Sequence, residues 1–242
     1  MVELRDVQAE LYDLAERIRA AQDVLSRTDI RSPLAGTVVD LRVHTQGGVI
    51  APGAALMDIV PSNEKLVIDA NAGWDAATSI TAMERMADDN VGLFEQPTTN
   101  GDFHALAEVR RAISCPVMAD DIVFDLPDAL ECIRHEACDV ISLYPGKNGG
   151  IRKAWEIAEL AAEHDVACSI GSNLELDVAS AAMCHLVVAC PNMQVETYPG
   201  DILGPDYHES SIAIEPLMIE GPVIEITDRP GLGVEVDWAS LS

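Results

Sequence analysis

Aromatic side chains are scarce in this chain, at 4% of its 242 residues. A core must therefore rest on Val, Ile, Leu, Ala and Met. Apolar residues at 48% are plentiful enough to build one, which excludes disorder as the overall state. Basic residues are also few, 15 against 41 acidic, for a net charge of −26. Such a field repels phosphate backbones and anionic membrane surfaces, so nucleic acid is not expected as the main partner. It repels anionic substrates too, unless a bound cation reverses the sign locally. A salt-adapted source would produce the same acidity. No apolar run approaches the ~20 residues of a membrane span, and no charged n-region with an apolar h-region opens the chain. Neither a span nor a cleaved signal is expected. No C-x-x-C occurs among the six cysteines, Cys115, Cys132, Cys138, Cys168, Cys184 and Cys190. All lie in apolar or helical-looking stretches, as reduced core thiols of a cytoplasmic protein would. No G-x-G-x-x-G follows a strand, which weakens a dinucleotide reading.

What is present divides near residue 68. Leu4, Val7, Leu11, Leu14, Ile18, Ala21 and Leu25 recur in alternating steps of three and four. That spacing predicts an amphipathic helix over 1–27, read either as a coiled-coil arm for a partner or a second copy, or as a helix lying on a globular core. Residues 28–66 follow with short β-rich runs, punctuated by Pro33, Gly36, Gly47-Gly48 and Pro52-Gly53. The text "LSRTDIRSPLAGTVVDLRVHTQGGVIAPGAALMDIVPSNEKLVIDA" resembles the periplasmic adaptor family of type I secretion systems (membrane fusion proteins, HlyD-like). The resemblance covers about residues 3–70 and implies half of a lipoyl-like module, with a role in packing and partner contact.

Residues 67–242 change grammar. Strands are expected at Leu66–Ala70, Val91–Glu95, Pro116–Ala119, Val140–Leu143, Ala167–Ile170 and Gln194–Tyr198. Helices are expected at Ala76–Asp88, Phe103–Ala112, Pro127–His135, Ile151–Glu163 and Leu176–Val188. This alternation implies an α/β fold with a parallel sheet, either an open doubly wound sheet or most of a TIM-type barrel. Asp69 ends the first strand, Glu95 ends the second and Asp120 follows the third. In a parallel barrel successive strand ends converge, so three carboxylates would surround one point. A hard divalent cation relieves their repulsion. Each acid read alone has a plainer role, facing solvent or capping the next helix.

The texts "IDANAGWD", "LFEQP", "VMADD", "LYPGKNGGI", "IGSNLEL" and "PGLGVEVD" resemble the C-terminal part of the enolase superfamily, in its mandelate racemase/muconate lactonizing enzyme branch. The resemblance implies a partial (β/α) barrel, strands three to eight. It implies Asp69, Glu95 and Asp120 as Mg²⁺ ligands, with Asn71 beside the site. Asp121 stands where relatives usually carry Glu. It further implies lyase or isomerase chemistry on a small carboxylate: removal of the α-proton and stabilisation of an enediolate, as in racemisation, cycloisomerisation or dehydration.

The base is the point of departure from the family. One base of the lactonizing branch lies in a Lys-x-Lys on the second barrel strand, and no Lys-x-Lys occurs in this sequence. Counting back from Gly149-Gly150, the other base position falls on Tyr144, with Lys147 three residues later. Lys147 reads as a catalytic candidate or as a solvated loop lysine. Tyr144 reads as an acid/base, although an unassisted phenol holds its proton near neutrality. Glu175 reads as a site carboxylate or as an acid in the first turn of a helix. His164 and His185 read as packing or surface residues. Without the family's capping domain, first two barrel strands and Lys-x-Lys, impaired turnover is expected. The alternative is a non-catalytic, chimeric or interaction protein carried by the heptad arm.

Overall fold

The computed structural model describes residues 32, 36–39, 41–43, 51, 54–61, 65–221 and 223–239. It divides into two compact units, Met1–Glu64 and Lys65–Ser242. In the first, β1 (Gly36–Val39) pairs antiparallel with β2 (Asp58–Pro61), with Gly36 opposite Pro61. The Arg42 amide extends this pairing by donating to the Leu56 carbonyl at 2.8 Å. The helix expected at 1–27, and the turns at Pro33, Gly47-Gly48 and Pro52-Gly53, lie outside the described residues.

The second unit alternates strand and helix. β3 (Leu66–Asp69), α1 (Ala76–Arg85), β4 (Val91–Glu95), α2 (Phe103–Ala112), β5 (Val117–Ala119) and α3 (Leu126–Arg134) come first. β6 (Val140–Leu143), the single turn α4 (Pro145–Asn148), α5 (Ile151–Glu163), β7 (Ala167–Ile170) and α6 (Asp177–Ala189) follow. A hairpin of β8 (Met218–Glu220) and β9 (Val223–Glu225) comes near the end. Strands β3 to β7 form one parallel sheet in sequence order.

The helix starts follow from local chemistry. Asp75, Asp102 and Asp125 each accept a backbone N–H three residues on, from Thr78, Ala105 and Asp128. Arg85, Arg110, Arg111 and Arg134 then occupy the last turns, where the helix dipole favours cations.

Alternation along the strands sorts the core into two faces. Leu93, Met118, Val140 and Ala167 form a small cluster on one face. Phe94, Val117, Ala119, Ile141, Leu143, Cys168 and Ile170 belong to the large cluster, with Leu106, Val109, Ala129, Ile157 and Met183 from the helices. β5, β6 and β7 are buried throughout, while edge strand β3 leaves Leu66 and Val67 exposed.

The strand expected at Gln194–Tyr198 does not form. The Thr197 and Tyr198 amides both donate to the Gln194 carbonyl, which closes a turn, and Pro199 has no N–H to extend a ladder. A single bridge joins Met193 to Cys168. The segment still runs beside β7: the Gln194 amide donates to the Cys168 carbonyl at 2.7 Å, and Ser169 Oγ to the Tyr198 carbonyl at 2.6 Å.

Candidate metal-binding and active site

The period of two also places the acids. Asp69, Glu95 and Asp120 each stand two residues beyond Val67, Leu93 and Met118, so they share a face at the C-terminal strand ends. Asp69 lies opposite Glu95 in the β3–β4 register. All three, with Asn71 and Asp121, line one cavity of about 340 Å³. Gly171, Ser172, Asn173 and Asp201 form its other wall. A larger cavity of about 530 Å³, lined by Arg110, Asp139 and His164, lies at the opposite strand ends and has none of these acids.

The carboxylates perturb one another. Burial, then the charges of Asp120 and Asp69, push the Glu95 carboxyl up to about 8. Asp69 is raised by burial, then by Asp120 and Asp121. Asp121 is raised by burial and then by Asp120. This is the pattern of acids short of positive charge.

The structure brings the acids to one cavity but not to one point. Among the described residues no three acidic, imidazole or thiol side chains form a ready-made metal cage. Two of the carboxylates already have an oxygen committed to protein donors. Asp69 Oδ1 accepts the Asn71 amide at 2.8 Å, and Asp120 Oδ1 accepts Lys147 Nζ at 2.6 Å.

Lys147 does not line the cavity. Its side chain is 2% exposed, and Nζ donates to Asp120 Oδ1, the Asp120 carbonyl and the Ser142 carbonyl. Those are all three of its donors. Burial lowers its pKa, against the pull of Asp120. The solvated-loop alternative for Lys147 therefore does not describe its place in the fold.

Tyr144 is 2% exposed and lies under the Lys147 ammonium, 4.5 Å from Nζ to ring centroid. Burial, then Asp120 and Asp121, push its phenol further above the usual range, so it stays protonated. Glu175 Oε2 accepts the Ser172 hydroxyl at 2.7 Å and the Asn173 amide at 2.9 Å. It thereby shapes the loop forming the far wall without lining the cavity. His185 meets the Leu232 carbonyl at 3.3 Å, and His164 closes the end of α5.

Two buried amides escaped the sequence reading. Gln96 Oε1 accepts the Asp120 amide at 2.9 Å, while Nε2 donates to the Thr98 carbonyl at 2.8 Å. Asn148 Oδ1 accepts the Tyr144 amide, and Nδ2 donates to the carbonyls of Val123 and Phe124. Together they fix the loop after β5 against α4. For Gln96 the available signal was a polar residue directly following a strand-end acid, which spacing alone does not separate from a surface amide; Asn148 carried no such signal.

Residues 41–240 match the family described as "Enolase C-terminal domain-like". The chain is 35% identical over 174 residues to muconate cycloisomerase 1 of Rhodococcus opacus, covering 72% of this chain and 46% of that protein. It is 33% identical over 172 residues to L-Ala-D/L-Glu epimerase of Clostridium acetobutylicum, covering 70% and 47%. Among solved structures, the dipeptide epimerase of Enterococcus faecalis complexed with Mg and the dipeptide L-Leu-L-Tyr superposes with a TM-score of 0.68 at 29% identity, covering 72% and 49%. The chain thus spans about half the length of the curated relatives it matches. The adaptor resemblance over residues 3–70 gains no support from these comparisons; the family match begins inside it, at residue 41. No helix among the described residues is long and apolar enough to cross a membrane. The register of acids at the strand ends, the parallel sheet and the family match agree, and the chain belongs to the enolase C-terminal domain-like family, in the mandelate racemase/muconate lactonizing enzyme branch of the enolase superfamily.

Proposed function

We propose that this chain binds Mg²⁺ through Asp69, Glu95 and Asp120 and uses that site for isomerase-type chemistry, racemisation, epimerisation or cycloisomerisation, on a small carboxylate. The observation that carries the reading is the arrival of three strand-end acids at one cavity. Their hard oxygens suit Mg²⁺, and the upward displacement of Glu95 and Asp69 is what an added cation would reverse. Bound there, the ion supplies a Lewis acid that holds a substrate carboxylate and stabilises the charge left when the adjacent carbon loses its proton.

The chain's own residues supply the setting. Lys147 orients Asp120 through its carboxylate and its carbonyl. Its lowered pKa is the property that a proton-abstracting lysine needs. Reaching a substrate requires the ammonium to leave Asp120, so in the observed arrangement Lys147 positions rather than abstracts. Tyr144 keeps its proton and can only donate it. Glu175 fixes Ser172 and Asn173 at the cavity wall. With Lys147 engaged on Asp120, proton abstraction by this lysine waits on its release, and slow turnover is the expected outcome. A cytoplasmic setting fits six free thiols.

Calorimetric titration with Mg²⁺ tests the site. Saturable binding that disappears in Asp120→Ala supports it, and no binding to the folded wild type removes it. Exchange of α-protons in deuterated water, with a panel of dipeptides and small carboxylates, then tests the chemistry. Mg²⁺ binding without exchange of any substrate would leave a metal site and withdraw the isomerase reading.

A further inference from the structure

Cys132 and Cys138 are 0% and 3% exposed, and their Sγ atoms lie 3.3 Å apart. The approach is built by the end of α3. Glu136 takes a left-handed conformation at φ 50°, and its amide donates to the Ile133 carbonyl. The Ala137 amide reaches back to the Cys132 carbonyl at 2.9 Å. These two bonds are the Schellman closure of a helix, which folds the residues after the helix back over its last turn. Cys138 is thereby carried onto Cys132. The next residue, Asp139, is pinned by Arg110 and by the Val117 amide, so the pair is held from both sides.

We infer that Cys132 and Cys138 are an oxidation site: hydrogen peroxide converts this dithiol to a disulfide. The reaction is independent of the proposed metal chemistry. One sulfur, as thiolate, attacks the peroxide O–O bond and becomes a sulfenic acid, releasing water once protons are balanced. The other attacks the sulfenic sulfur and expels a second water. In sum two S–H bonds and one O–O bond break, and one S–S bond and two O–H bonds form. The two sulfurs lose the two electrons that the peroxide gains. The sulfurs must close from 3.3 Å to about 2.05 Å, a movement that the short connection from His135 to Ala137 can follow. The contact with Cys132 and then burial raise the Cys138 thiol, and burial shields both sulfurs, so reaction waits on local opening of the last turn of α3 and is slow. Cys115 is less buried, but among the described residues the thiol–thiol hydrogen bond joins Cys132 and Cys138, not Cys115.

Hydrogen peroxide treatment of the full, folded chain, followed by peptide mapping, tests this. Cleavage after Glu131, Arg134 and Glu136 places Cys115, Cys132 and Cys138 on separate peptides. The expected product joins the Cys132 and Cys138 peptides, exceeds any other cysteine pairing by about tenfold, and is released by dithiothreitol. In urea the preference over Cys184–Cys190, a pair of equal sequence spacing, should disappear, and Cys132→Ala should abolish the link. Because the mapping is read on the wild type, a variant that fails to fold leaves the test intact. A different dominant pairing, or oxidation of Cys115 with Cys132 and Cys138 remaining reduced, overturns the proposal.

Discussion

The two ends of the parallel sheet hold acids in opposite circumstances. At the N-terminal strand ends, Asp139 is fully matched. Oδ1 accepts Arg110 Nε at 2.9 Å and meets Nη2 at 2.8 Å, and Oδ2 accepts the Val117 amide at 2.9 Å. At the C-terminal ends, Asp69, Glu95, Asp120 and Asp121 face one cavity, and among the described residues the cation paired with them is Lys147, sequestered on Asp120. The matched end is structural: one carboxylate ties α2, β5 and the start of β6 together. The unmatched end costs stability, and a fold retains such a cost where a ligand offsets it.

Removing Lys147, the cation that pairs with the crowded end among the described residues, should have the largest effect. Lys147→Ala leaves Asp120 among like charges in a buried setting and should cost about 3–5 kcal/mol, read by chemical denaturation. A loss under about 1 kcal/mol would mean that Lys147 does not hold the acids together.

Glu95→Gln should act in the opposite direction. The folded carboxyl titrates near 8, above its ordinary 4.5, so between these values the folded state keeps a proton that the unfolded chain releases. Stability of the metal-free wild type therefore falls as pH rises through that window, by up to about 1.4 kcal/mol per unit. Glu95→Gln should flatten the profile and gain about 3 kcal/mol at pH 8 relative to pH 4.5, once sharing of charge among the acids is discounted. Unfolding curves across pH decide it; an unchanged slope would place the strain elsewhere.

At the matched end, Asp139→Ala should destabilise by about 2 kcal/mol, because the Arg110 guanidinium and the Val117 amide lose partners together. Thermal melts with and without Mg²⁺ sharpen the contrast. The ion should leave this deficit unchanged while it stabilises the wild type, and a deficit that Mg²⁺ repairs would erase the distinction between the ends.

Most of the second unit was legible in the sequence because its signals are local. Val91–Glu95, Val140–Leu143 and Ala167–Ile170 are strands at the expected bounds, and α2 and α5 match residue for residue. Each is an apolar run or an amphipathic stretch, and the first three helices have their own Asp cap. Gln194–Tyr198 reads as a strand because Val195 and Tyr198 resemble one; Pro199 is a breaker that the sequence does carry, while the turn closing on Gln194 is seen only in the structure. α4 was missed because a single turn leaves no periodicity to detect.

By itself the sequence determined the alternation of strands and helices, the shared face of Asp69, Glu95 and Asp120, and the large excess of negative charge. These depend on spacing and composition, which a linear text carries whole. Only the tertiary structure decided that Lys147 spends its three donors on Asp120 and Ser142, that Gln96 and Asn148 brace the site, and that Cys132 meets Cys138. Those outcomes rest on which groups lose water together, and burial is a property of the packed chain.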